Sequence, residues 1–85
     1  MKDYSYTYEF KINLDEIKKA KDFVSVAQSM DGEVVLKQGY QTVDGSSILG
    51  IFTLNLLEDI DCFIKTNTEL STDQINKLLD VFGVI

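Results

Sequence analysis

The sequence predicts an α+β fold: an open-faced sandwich in which a four-stranded antiparallel sheet is covered on one face by three helices. Three observations predict it. The apolar residues switch between a period of two and a helical period along the chain, giving the order β-α-β-β-α-β-α. Serine, asparagine and glycine stand where those stretches start or stop. At 85 residues and 45% hydrophobic, the chain supports one modest core, so residues 1–85 form a single domain.

Residues 4–12 alternate strictly. Tyr4, Tyr6, Tyr8, Phe10 and Ile12 point one way, and Ser5, Thr7, Glu9 and Lys11 the other. This is a strand with one buried face. Residues 15–30 read as a helix, with Ile17, Ala20, Phe23, Val24, Ala27 and Met30 at helical spacing. Asn13 followed by Glu16 resembles a capping box, and Asp31-Gly32 supplies a stop in which Gly32 would take a positive φ. Residues 33–37 and 40–43 are short strands joined by a tight turn at Gln38-Gly39. Ser46 or Ser47 then caps a short helix through about Leu54, weakened by Gly50. Ile60, Cys62 and Ile64 alternate with Asp61, Phe63 and Lys65 as a fourth strand. Ser71 and Gln74 form a capping box for a last helix with an apolar face of Ile75, Leu78, Leu79 and Phe82, and Gly83 is its expected C′ residue.

Composition bounds the chemistry. There is no His, Pro or Trp, and all 8 basic residues are Lys. Chemistry that needs an imidazole or a bidentate guanidinium clamp is excluded. A net charge of −6 argues against nucleic acid as a partner. Cys62 is alone, so it makes no intramolecular disulfide and a poor zinc ligand set, and it reads as a small buried hydrophobe. The stretch after Met1 does not read as a signal peptide, and no apolar run reaches the ~20 residues of a membrane span. A cytoplasmic protein without membrane contact is expected. No calcium loop, phosphate loop, paired carboxylates or nucleophile–base pair stands out, so neither a cofactor nor a metal nor an enzymatic activity is expected.

Val43-Asp44-Gly45-Ser46-Ser47-Ile48-Leu49-Gly50-Ile51-Phe52-Thr53-Leu54 resembles the regulatory-serine segment of HPr, the small phosphocarrier of the bacterial sugar phosphotransferase system. That family carries a V-[ND]-x-[KS]-S-I-[ML]-G-x-M-[ST]-L-like run. The resemblance extends without gaps over residues 14–82, where Ala20, Phe23, Val24, Ala27 and Met30 match core positions of the family's first helix. The element order is also that of HPr. The family's active loop reads G-[LI]-H-A-R-P-A; here it is Leu14-Asp15-Glu16-Ile17-Lys18-Lys19-Ala20. Glu16 stands in place of the phosphorylatable histidine and Lys18 in place of the arginine, a degenerate phosphocarrier position. The resemblance therefore implies a relative that has lost its carrier chemistry.

Each marked residue has two readings. Ser47 aligns with the serine that a family kinase phosphorylates, and it is equally a helix cap. Glu16 is a capping and dipole-stabilising residue at a helix start, or a permanent negative charge where phosphohistidine would sit. Ile17, Leu49 and Phe52 are core or singly exposed apolar residues, or an exposed apolar patch rimmed by Lys18 and Lys19 that meets a protein partner. Such a partner would be a regulator, a kinase or a phosphotransferase component. The function expected is regulatory protein binding, gated by phosphorylation of Ser47. The alternative is an interaction or structural module with no role in sugar transport, and an active phosphocarrier is the least favoured. Edge strands allow a monomer or a dimer.

Overall fold

The computed structural model describes residues 4–84. Its elements are β1 (Tyr6–Ile12), α1 (Ile17–Gln28), β2 (Gly32–Gln38), β3 (Gln41–Asp44), α2 (Ile48–Ile51), β4 (Ile60–Thr66) and α3 (Thr72–Phe82). The four strands form one sheet in the order β1-β4-β2-β3, and every neighbouring pair is antiparallel. The α+β architecture is the one the alternating periods predict.

Register decides which face is buried. Ile12 pairs with Ile60, Phe10 with Cys62 and Tyr8 with Ile64 across β1 and β4. Val34 continues the row from Ile64, and Leu36 the row from Cys62. Because side chains alternate, all of these share one face. On the opposite face Lys11, Asp61 and Lys37 line up across three strands, as do Thr7, Lys65 and Glu33. Lys11 and Asp61 pair at 3.9 Å, and the Lys37 ammonium lies 5.0 Å from the Phe63 ring centre. On this face Phe63 is thereby met by the Lys37 ammonium rather than by a helix.

The helices fill the apolar face. Ala20, Phe23, Val24 and Ala27 are the buried side of α1, and Leu78 and Phe82 that of α3. The rings of Phe23 and Phe82 meet edge to face at 5.2 Å, which joins the two helices above the sheet. The Tyr8 hydroxyl accepts from the Leu70 N–H at 2.9 Å and ties the segment before α3 to β1.

Four caps and turns differ from the sequence reading. No capping box forms between Asn13 and Glu16. The side-chain amide oxygen of Asn13 instead accepts from the Asp15 N–H at 3.2 Å, a local turn that lets Leu14 sink into the core before α1 begins, and Glu16 takes the N-cap position with no side-chain cap bond. Gly32 does not stop α1 in a left-handed conformation. The helix closes at Ser29, and Gly32 opens β2, where a side chain would collide with the Lys65 carbonyl of β4. The hairpin turn is Gly39-Tyr40 rather than Gln38-Gly39, because the ladder runs one residue further, to Gln38 opposite Gln41. Gly39 has φ +59° and Tyr40 has a negative φ, the pattern of a type II′ turn. Gly83 has φ −66° and is extended. It forms a bridge to Ile12, and the Val84 N–H donates to the Lys11 carbonyl at 3.1 Å, so contact with β1 replaces the expected left-handed cap.

Candidate functional site

The turn from β3 into α2 sets the geometry of the two serines. Gly45 is buried, and its N–H donates to the Val34 carbonyl at 2.8 Å. A side chain there would press on Val34 and on the Phe23 ring, so the close passage over the core calls for glycine. The Ser46 N–H and hydroxyl both donate to one Asp44 carboxylate oxygen, at 2.9 and 2.6 Å. The hydroxyl bond first, and the backbone bond second, hold the Asp44 carboxyl below its usual value. The Ser46 carbonyl accepts from the Gln28 side-chain amide at 3.1 Å, which pins the start of α2 to the end of α1. Ser47 is the cap. It is half-buried, and its hydroxyl oxygen accepts from the Gly50 N–H at 3.3 Å. The sequence left the cap open between the two serines, and Asp44 decides between them by engaging Ser46.

α2 is shorter than the stretch to Leu54 that the spacing predicts. It spans four residues and then tightens, with the Thr53 and Leu54 N–H groups donating to the carbonyls of Gly50 and Ile51. The Thr53 hydroxyl donates to the Gly50 carbonyl at 2.6 Å, a local bond that competes with helix continuation. Ile51 and Leu54 supply the buried contacts of this segment. Leu49 is 77% exposed and Phe52 45% exposed, three residues apart and so on one side of the turn. Ile17, at the first position of α1, is 63% exposed. The expected interface residues are therefore outside the core, on the helical layer where α1 and α2 pack together.

Glu16 is exposed at the N-cap of α1, and its backbone carbonyl accepts from the Ala20 N–H at 3.1 Å. Its side chain makes no cap hydrogen bond, so of the capping and dipole roles only the charge at the helix start remains. Lys18 pairs with Asp22 at 3.7 Å, and Lys19 with Asp15 at 3.2 Å, both along the helix. Neither lysine makes an ion pair with Glu16 among the described residues. Cys62 is fully buried, and desolvation pushes its thiol up to about 12. Tyr4 lies ahead of β1, so the tyrosine stripe on the sheet starts at Tyr6. Among the described residues no group of three or more His, Cys, Asp or Glu is placed to hold a metal ion, and no helix is long and apolar enough to cross a membrane.

Two features escape sequence reading. Leu57, 83% exposed in the loop after α2, lies between the α2 and β4 stretches and belongs to the pattern of neither. Val81 is exposed on α3, one position off the stripe of Leu78 and Phe82, and it borders a groove between α1 and α3. An apolar residue just outside a helix stripe was the available signal. No known protein family's model matches the chain, and no similar curated protein or solved structure was found.

Proposed function

We propose that this chain is a non-catalytic, protein-binding relative of HPr, a regulator rather than a carrier of phosphoryl groups. The observation that carries the reading is the exposure of Ile17, Leu49 and Phe52 on the helical layer while Ile51 and Leu54 provide the burial that α2 needs. Apolar side chains that the core does not use, exposed on two elements that pack together, suit a protein partner. The shared element order and the Ser47-Ile48-Leu49-Gly50 run support the link to HPr. Glu16 at the carrier position supports the loss of transfer, since a carboxylate offers no imidazole nitrogen to hold a labile phosphoryl group.

Ser47 is the gate in this reading. A phosphoryl group on its hydroxyl would change the bond to the Gly50 N–H and place about two negative charges near Asp44. The turn that carries Leu49 and Phe52 would feel both changes. The test is intact mass with site mapping after two incubations. HPr serine kinase with ATP is expected to add one phosphate at Ser47. Enzyme I with phosphoenolpyruvate is expected to add none, and a phosphate on Glu16 would overturn the proposal.

One observation favours a second reading. The Ser47 hydroxyl is half-buried and already employed as a cap. An interaction module on an inherited fold, with no link to sugar transport, needs nothing more from it. Absence of phosphate from either donor, with partner binding still lost in Leu49→Asp and Phe52→Asp variants, would select that reading.

A further inference from the structure

A groove of about 540 Å³ runs between α1 and α3, on residues distinct from the Ile17, Leu49 and Phe52 surface. Its apolar lining includes Val26, Met30, Leu78 and Phe82. The charged residues along it are Asp22, Asp31 and Glu69 against Lys77 alone. Asp22 is paired with Lys18, whereas Asp31 and Glu69 are exposed and make no ion pair among the described residues. Val81 adds an exposed apolar side chain at the edge. One wall is Asp22 and Val26 of α1, continued by Ser29 and Met30 just past its end, and the other is α3 from Gln74 to Phe82. At 1.5 Å per residue the α3 wall is about 12 Å long, a little over two helical turns.

We propose that this groove docks an amphipathic helix of a protein partner, apolar on one face and flanked by lysines or arginines. A groove two turns long admits apolar anchors spaced i, i+3 or i+4, and i+7. The acidic rim selects the sign of the flanking charges, and a net charge of −6 attracts a basic segment from a distance. A helix with acidic flanks meets repulsion at Asp31 and Glu69 that Lys77 alone does not offset.

The probes are a leucine–lysine amphipathic peptide and its leucine–glutamate counterpart, followed by amide resonances of the ¹⁵N-labelled full chain. The basic peptide is expected to shift the amides of Val26, Met30, Leu70, Leu78 and Val81 and to leave those of Leu49 and Phe52 in place. The acidic peptide is expected to bind at least about tenfold more weakly. Reversing the rim with Asp31→Lys and Glu69→Lys should weaken the basic peptide by about tenfold. Both positions are exposed, and the same spectra report whether the variant keeps its fold. Val81→Ser should also weaken binding, through lost apolar contact. No binding, shifts spread over the acidic surface or centred on α2, or an unchanged affinity in the folded double variant would each overturn the proposal. None of these results bears on the Ser47 experiment, which reads covalent mass at another place.

Discussion

Alanine at each of three serines separates capping from other roles. Ser47 accepts one 3.3 Å bond at the start of a four-residue helix. N-cap serine-to-alanine changes cost about 0.5–2 kcal/mol, and a long bond on a short, partly solvated helix sits at the lower end, about 0.5–1 kcal/mol. For a domain of this size 1 kcal/mol moves Tm by about 4–8 °C, so Ser47→Ala should melt about 2–8 °C low. Ser71 takes part in both bonds of a true capping box, accepting from the Gln74 N–H at 3.1 Å while its own N–H donates to the Gln74 side chain at 2.8 Å. It also starts an eleven-residue helix. Ser71→Ala should therefore cost more, about 1–2 kcal/mol. Ser46→Ala removes only the hydroxyl bond to Asp44, since the backbone N–H still donates to the same oxygen, and should cost about 0.5 kcal/mol or less against an exposed carboxylate. Thermal melts by circular dichroism, backed by urea titration, give the ranking Ser71→Ala, Ser47→Ala, Ser46→Ala. A Ser46→Ala protein less stable than Ser47→Ala would refute the assignment of the cap to Ser47, and with it the idea that phosphorylation acts by disturbing that bond.

Three further outcomes are expected. The Cys62 thiol, pushed up to about 12 by burial, should react with Ellman's reagent only as fast as the chain unfolds; fast labelling under native conditions would place it outside the core. Because its folded value is raised from 9.0, this residue's contribution is fully present below pH 9 and is lost as pH rises from 9 towards 12, so Cys62→Ala should flatten the alkaline arm of the stability curve. Asp44 has the opposite sign: its folded value lies below 3.8, so its contribution is present above that pH and fades as pH falls through the folded value. Asp44→Asn melts should therefore converge on wild type in acid, and a gap that widens instead would contradict the Ser46 bonds. Gly39 has open space around it but φ +59°, so Gly39→Ala should cost about 1–2 kcal/mol from backbone strain alone and Gly39→Asn less, measured by urea midpoint; equal midpoints for all three would mean that the turn is not left-handed.

Period carried most of the fold. Residues 6–12 and 60–66 were readable as strands because polar and apolar residues alternate, and α1 because Ala20, Phe23, Val24 and Ala27 fall on one helical face. The misplaced boundaries share a cause. Asn13, Gly32, Gly39 and Gly83 are settled by partners distant in sequence or by the length of a ladder, and local rules see neither. Leu14 reaches the core only through the turn at Asn13, and Gly32 fits against a strand more than thirty residues away. The candidate surface was partly legible. Leu49 and Phe52 could be marked from the segment resembling HPr, but their exposure depends on Ile51 and Leu54 taking the inward positions. The groove was not legible, because its walls come from residues 22–30 and 66–82, which meet only after the sheet has formed.

The position of β4 has a consequence for how this chain comes into being. The strand that sits second in the sheet, hydrogen-bonded on both sides, is the last strand along the chain. Ile12 waits for Ile60, and Val34 for Ile64. Before Ile60 leaves the ribosome only the hairpin of β2 and β3 can pair in its native register. At ~5–20 residues per second, β1 spends several seconds as an unpaired edge with two tyrosines and a phenylalanine available to other chains. Completion of one seven-residue strand then closes the sheet from both directions at once, so assembly is a late, single event governed by sequence-distant contacts.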